Sequence, residues 1–297
     1  MRLLSVVIAF FLACWSSLGA AQPITVYDDL QRAVNLSAPA KRIISLAPSL
    51  TELLFVAGAG NRIVGVSEYS DFPPQAQGYP VVGRYDLLDM EAIVALAPDL
   101  VVAWQSGNPQ AAVQLLIDLG FTVYIAEPRT LESIAHQIDN FGQLAGTQTT
   151  SNAAIRYFNE QLNTLRTRYI SASPISVFYQ VWNEPLISVG GNELINDIIS
   201  LCGGHNIFAD QGLAPKISIE SVLSRNPQVI IASGMDIARP EWLDDWRRWP
   251  QLQAVANEQL YFIPPDLVQR HSLRVLSGTL QMCTHLDKGR QVEQTHR

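Results

Sequence analysis

Ser151-Asn152-Ala153-Ala154-Ile155-Arg156-Tyr157-Phe158-Asn159-Glu160-Gln161-Leu162-Asn163-Thr164-Leu165-Arg166-Thr167-Arg168-Tyr169 lies near the middle of the chain and divides it. Ile155, Phe158, Leu162, Leu165 and Tyr169 recur at steps of three or four, which places them in one apolar stripe along a helix. Thr150 or Ser151 can cap its start. A helix of about 19 residues is roughly 28 Å long, enough to run the length of a lobe. An α/β pattern lies on either side. The expected organisation is an N-terminal lobe at 22–148, a linking helix at 149–171 and a C-terminal lobe at 172–297. The fold class is α/β: two Rossmann-like lobes joined by one long backbone helix. Lobes joined in this way should rock little compared with lobes joined by flexible strands.

The first half alternates apolar runs with amphipathic ones. Strands are expected at 42–46, 63–66, 100–103 and 122–126, and helices at 49–57, 90–96, 110–119 and 131–144. The second half repeats the grammar, with strands at 175–181, 229–231 and 260–263 and helices at 193–201, 219–224, 240–248 and 273–286. Continuous apolar strands between such helices predict parallel sheets covered on both faces. The polar end, 287–297, has no packing pattern and should fray.

The halves also resemble each other in detail. Glu91-Ala92-Ile93-Val94-Ala95-Leu96-Ala97-Pro98-Asp99-Leu100-Val101-Val102 parallels Glu220-Ser221-Val222-Leu223-Ser224-Arg225-Asn226-Pro227-Gln228-Val229-Ile230-Ile231. Each begins with Glu, reaches Pro seven steps later and enters an apolar strand. Both glutamates fall in the first turn of a helix, where a carboxylate favours the helix dipole. Two carboxylates at one register also suit a docking role, and both readings stand.

The ends set the compartment. Arg2, the apolar run from Leu3 to Ala13 and the small cluster Gly19-Ala20-Ala21 form the three parts of a secretory signal. Cleavage after Ala21 gives a signal peptide at 1–21. Lipoprotein processing at Cys14 would have Phe11 and Trp15 as poor neighbours, and is disfavoured. No later segment is apolar enough to span a bilayer. The net charge is −7, without basic clusters, which argues against nucleic acid or an anionic membrane as partner. Loss of the signal leaves two of the three cysteines, Cys202 and Cys283. In an oxidising compartment they are expected to pair, closing a loop of roughly 80 residues worth on the order of 4 kcal/mol.

Catalytic chemistry is not displayed. There is no Gly-x-Ser-x-Gly elbow, no His-Glu-x-x-His pair and no P-loop. Gly58-Ala59-Gly60 follows a helix and precedes a strand, the reverse of a dinucleotide-binding turn, and reads as a helix C-cap. His136, His205, His271 and His285 are scattered singly, without metal-ligand spacing. No catalytic residue, metal site or cofactor is expected.

Ile44-Ser45-Leu46-Ala47-Pro48-Ser49-Leu50-Thr51-Glu52, Gly65-Val66-Ser67-Glu68-Tyr69-Ser70-Asp71-Phe72-Pro73-Pro74 and Leu201-Cys202-Gly203-Gly204-His205-Asn206-Ile207-Phe208 resemble helical-backbone (class III) periplasmic binding proteins. Within that family the chain is most similar to members that carry cobalamin (vitamin B12) to ABC importers, and the resemblance runs from about Arg42 to Leu286. It implies a monomeric periplasmic protein with a cleft whose aromatics lie along the corrin ring. By this resemblance Tyr69 and Tyr85 are ligand-binding. Trp104 and Trp182, which end strands, join them, and Asp266 and Arg270 meet the ligand's polar periphery. Glu91 and Glu220 match two docking glutamates, one per lobe, that pair with arginines on a two-fold permease. The pair Cys202–Cys283 matches a disulfide of the family.

There are departures. Ala214 stands where some cobalamin binders have a loop tryptophan, and Leu273 where a proline is usual. Trp242, Trp246 and Trp249 fall at helical steps and read as a packing stripe. A siderophore or haem carrier on the same fold is the runner-up. It would need a basic cluster or an iron-facing Tyr or His, for which Arg84, Arg270 and His271 are the available candidates. A periplasmic α/β enzyme is a third reading.

Overall fold

A computed structural model describes residues 23–295 apart from 236. The expected signal peptide and Cys14 lie outside the described residues. The described residues open with an antiparallel hairpin, β1 (Ile24–Tyr27) and β2 (Ala33–Leu36). Its turn is tied by Asp28, whose carboxylate accepts from the Leu30 and Arg32 amides and pairs with the Arg32 guanidinium. The first lobe continues through β3 (Ile43–Ser45), α1 (Pro48–Val56), β4 (Ile63–Val66), a short hairpin of β5 (Gly83–Arg84) and β6 (Leu87–Leu88), and α2 (Met90–Ala95). β7 (Leu100–Trp104), α3 (Gln110–Asp118), β8 (Val123–Ala126) and α4 (Leu131–Ala145) complete it. After the linking helix α5 (Gln148–Tyr169) come β9 (Ile175–Gln180), a hairpin of β10 (Trp182–Asn183) and β11 (Leu186–Ile187), α6 (Leu194–Leu201), β12 (Gly204–Asn206), α7 (Ile219–Arg225) and β13 (Val229–Ala232). A 3-10 segment at Glu241–Arg248 leads to α8 (Gln253–Ala256), β14 (Leu260–Phe262), α9 (Pro265–Val268) and α10 (Val275–Thr295).

Each lobe holds a four-stranded parallel sheet, ordered β4-β3-β7-β8 in the first and β12-β9-β13-β14 in the second. Counted within its lobe, each sheet has the order second, first, third, fourth. The internal repeat therefore has a topological basis: α2–β7 and α7–β13 occupy equivalent places.

Strand alternation sorts the side chains into layers. Ile43, Val102 and Tyr124 face α1, α4 and α5, while Ile44, Val101 and Ile125 face α2 and α3. In the second lobe Val177, Tyr179 and Ile231 turn toward α6 and α10, and Phe178 and Ile230 pack under Leu243 and Trp246. The inner layers of both lobes belong to one continuous core through Phe158, Leu162, Leu165 and Tyr169 of α5. The outer layers are separate. Opening the lobes widely would break that shared apolar layer, which limits their movement. The Cys202–Cys283 disulfide, 81 residues apart with Cα atoms at 4.8 Å, ties the end of α6 to α10.

Three expectations need correction, and one group of strands was not expected. The linking helix begins at Gln148, so neither Thr150 nor Ser151 caps it. Thr147 takes the cap position and donates its hydroxyl to Ala57 O instead, and Ser151 is buried against Gly142, where a Cβ would overlap its hydroxyl. The polar tail does not fray at Asp287, because α10 runs to Thr295. Arg290 is buried, donating to Ser173 O at 2.6 Å and to Cys202 O and pairing with Asp287 at 2.8 Å. Those bonds hold the polar last turns of a helix whose earlier turns pack Val275, Met282 and Leu286 into the core. The 240–248 helix is 3-10 and starts at Glu241. Finally, β12 and the three hairpins had no strand-length apolar run to reveal them.

Candidate functional site

In each sheet the order reverses between the first and third strands, so the chain leaves β3 and β7, and likewise β9 and β13, in opposite directions. A crevice opens at the carboxyl ends of such strands. Two sets of contacts turn these ends of the sheets toward each other. At the β4 edge of the first sheet and the β14 edge of the second, Arg270 meets Asp71 at 2.6 Å and Glu52 at 3.1 Å. At the β8 edge, Arg129 reaches Glu193 at 3.5 Å and Asn192 O at 3.3 Å, while the Leu131 amide donates to Asp197 at 2.8 Å. The switch points of both sheets lie between these two contacts.

On the first lobe Trp104 ends β7 and Tyr85 sits in the β5–β6 turn, their ring centroids 6.3 Å apart at 47°. Asn108, 5% exposed, ties the two segments together. Its Oδ1 accepts from the Trp104 amide at 2.6 Å, and its Nδ2 donates to Tyr85 O at 2.7 Å and Leu46 O at 2.9 Å. Tyr69 follows β4 with φ +64°, an unfavourable conformation for an aromatic residue, and its side chain is 66% exposed. The Glu68 amide donates to Gly83 O at 2.9 Å, which brings the Tyr69 loop beside the Tyr85 hairpin.

On the second lobe Trp182 begins β10 directly after β9, half-exposed, with Nε1 donating to Glu184 O at 3.0 Å. It shares a cavity of about 500 Å3 with Met235, Pro240 and Trp242. The expected tryptophan stripe does pack together. Trp246 is buried and donates its Nε1 to Gln180 at 2.7 Å, Trp242 and Trp249 pack against the same layer, and Trp242 also lines this cavity. Ala214 is exposed.

Asp266 and Arg270 are brought together, but not as free polar anchors. Arg270 pairs with Asp266 at 3.0 Å as well as with Asp71 and Glu52, and Arg274 pairs with Glu52 at 3.3 Å and Asp266 at 3.1 Å. Ser272 donates to the second Glu52 oxygen at 2.6 Å, and the Arg274 guanidinium lies 4.7 Å over the Phe72 ring. Two cations thus hold three carboxylates where the lobes meet. Burial pushes the Glu52 carboxyl above its usual range despite the Ser272 bond and both arginines. At Asp71 burial also acts upward, but the Arg270 hydrogen bond and charge outweigh it and lower the carboxyl. Across the cleft, burial raises Glu193 to about 7, with Arg129 opposing and Glu127 adding to the rise. Burial, with the Arg129 charge, lowers His271 to about 4.

Glu91 and Glu220 occupy matching positions, each in the first turn of its helix. Asp89 caps α2 by accepting from the Ala92 amide at 3.0 Å, and Ser218 caps α7 by accepting from Ser221 at 3.2 Å. Among the described residues no group of His, Cys, Asp or Glu is arranged to hold a metal.

Sequence reasoning missed Glu52, Asp71, Arg274 and Asn108. A signal for Glu52 was present: it is a lone charge in Leu50-Thr51-Glu52-Leu53-Leu54, an otherwise apolar helical run. Asn108 offered none, because two of the three backbone groups it bonds, Leu46 O and Tyr85 O, lie 62 and 23 residues away.

The comparisons with known proteins agree with this architecture. A vitamin B12-binding protein of Vibrio cholerae serotype O1 is 41% identical over 250 residues, covering 84% of this chain and 90% of that protein. One from Yersinia pestis is 36% identical over 252 residues, covering 83% and 86%. The crystal structure of the periplasmic vitamin B12 binding protein BtuF of Vibrio cholerae superposes with a TM-score of 0.79 at 39% identity, covering 85% of this chain and 98% of that one. The periplasmic haem-binding protein HutB of Vibrio cholerae, at 23% identity and a TM-score of 0.71 over 82% and 98%, shares the fold. The sequence pattern described as periplasmic binding protein matches residues 43–267, so the chain belongs to the periplasmic binding protein family.

Proposed function

We propose that the mature chain, beginning at Gln22, captures cobalamin or a related corrinoid in the crevice between its lobes and delivers it to an ABC permease dimer in the periplasm. The reading is carried by aromatic surface at the switch points of both lobes: exposed Tyr69 and Tyr85 with partly buried Trp104 on one side, exposed Trp182 on the other. Broad aromatic faces with few free charges suit a large, flat, amide-fringed ligand. The names of the relatives at 36–41% identity support the same ligand.

Asp266 and Arg270 act here mainly by fixing the lobes, with their outward atoms at the ligand's edge. Glu91 and Glu220 present one carboxylate per lobe to a two-fold partner, and the repeated helix–strand unit gives that symmetry a structural basis. Binding and delivery require no catalytic step. Haem and ferric siderophores are the competing cargoes, and the charge inventory disfavours them: Arg84 pairs with Asp86 at 2.8 Å, Arg270 is neutralised, and His271, its pKa lowered to about 4, carries no charge at neutral pH.

Calorimetric titration of the purified mature protein with cyanocobalamin, with haem and a ferric siderophore in parallel, tests the reading. Saturable one-to-one heat with cyanocobalamin alone is expected. Absence of that heat with a response to either control would replace the ligand.

A further inference from the structure

Cleft aromatics are useful only if their rings are held in place before the ligand arrives, since ordering them on binding costs affinity. In the first lobe that task falls on two residues that expose no aromatic surface. Asn108 completes its amide by bonding three backbone groups from three segments: the Trp104 amide, Tyr85 O and Leu46 O. These segments are the exit of β3, the β5–β6 turn and the exit of β7, the three stretches that frame the switch point. Gly107 has the complementary role of absence. The Trp104 indole lies against its backbone, and a Cβ there would overlap the ring carbons. Asn108 therefore fixes the backbone on which both rings are mounted, and Gly107 leaves the space in which one of them lies.

We propose that Gly107 and Asn108 are the positioning residues of the first-lobe aromatic wall, holding Tyr85 and Trp104 in the binding-ready arrangement without touching the ligand. This rests on the corrinoid reading above for the identity of the cargo, but the positioning itself is a property of the free protein. Replacing Asn108 by Ala strands one buried amide and two carbonyls, so the Tyr85 turn and the β7 exit lose their mutual register. Asn108→Asp keeps the acceptor for Trp104 but sets a carboxylate against two carbonyl oxygens, so it should fail in the same way. Gly107→Ala leaves every one of these hydrogen bonds in place and displaces only the indole.

The test compares Asn108→Ala, Asn108→Asp and Gly107→Ala with the parent, each confirmed folded by its thermal transition. Acrylamide quenching of indole fluorescence is read as the difference between each protein and its Trp104→Phe counterpart. Trp104 should be more quenchable in all three variants, and an unchanged difference would overturn the proposal whatever the cargo. Cyanocobalamin affinity should fall tenfold or more in each variant. In a Tyr85→Ala/Trp104→Ala background the same substitutions should change it by less than twofold, because their effect passes through those rings. An equal loss in both backgrounds would make the two residues general supports of the fold and refute the positioning role. If the parent itself binds no cyanocobalamin, the cargo reading fails, and the quenching result still decides the positioning.

Discussion

Replacing Glu193 by Gln should stabilise the protein, and increasingly so as pH rises. Glu193 lies where the lobes meet at the β8 edge, its side chain 17% exposed and one carboxylate oxygen buried without a hydrogen-bond donor. Burial, reinforced by Glu127, raises its pKa from 4.5 to about 7, and the opposing attraction of Arg129 is already included in that net rise. A group whose pKa is higher in the folded state contributes stability below its unfolded pKa and loses it as pH climbs through the folded value. The wild type should therefore lose stability from this residue between about pH 4.5 and 7. At 1.36 kcal/mol per pH unit, the interval from 4.5 to about 7 is worth about 3 kcal/mol. Glutamine keeps the shape and cannot ionise. Thermal unfolding of both proteins from pH 5 to 8 should show the Glu193→Gln advantage growing by about 5–10 °C across the range for a chain of this size. Parallel profiles, or a variant less stable at pH 8, would refute the claim that burial dominates over the Arg129 pairing.

Arg270→Ala leaves Glu52, Asp71 and Asp266 facing one another with only Arg274 between them. It should cost about 3–5 kcal/mol in urea unfolding, whereas Arg248→Ala, which breaks the exposed pair with Asp245, should stay within about 0.5 kcal/mol. Equal effects would mean the inter-lobe network adds nothing beyond surface charge. Reduction, or Cys202→Ser with Cys283→Ser, should lower stability by about 3–4 kcal/mol without loss of cyanocobalamin binding, since the bridge lies behind the core and away from the cleft. Glu91→Ala combined with Glu220→Ala should abolish transport while sparing ligand affinity, and unimpaired uptake would remove the docking role.

Seven of the eight sheet strands were legible because each is a short, mainly apolar run, and buried parallel strands advertise themselves in that way. Ile63–Val66 matches its expected bounds, and the other expected strands agree within about one residue at most ends. β12 escaped notice because Gly204-His205-Asn206 carries no apolar pattern: it is a strand only because β9 lies beside it. The linking helix was legible from its stripe, but its start was not, since Thr147 is drawn to Ala57 O by a contact 90 residues away. The aromatics of the crevice stood out as residues, yet what holds them did not. Arg270 looked like a free polar anchor, and only its partners on the other lobe reveal a clamp.

That clamp bears on how such a carrier works. Its two lobes share one apolar layer through α5 and are bridged by charge at both edges of the crevice, so the crevice walls are held in place before any ligand arrives. Preorganisation of this kind lowers the ordering cost of binding and leaves affinity to the fit of the rings. Glu91 and Glu220 lie on equivalent units, each in the first turn of a helix. In the first lobe that turn follows directly on the β5–β6 hairpin that carries Tyr85, so a change in the hairpin would reach both the aromatic wall and the Glu91 turn.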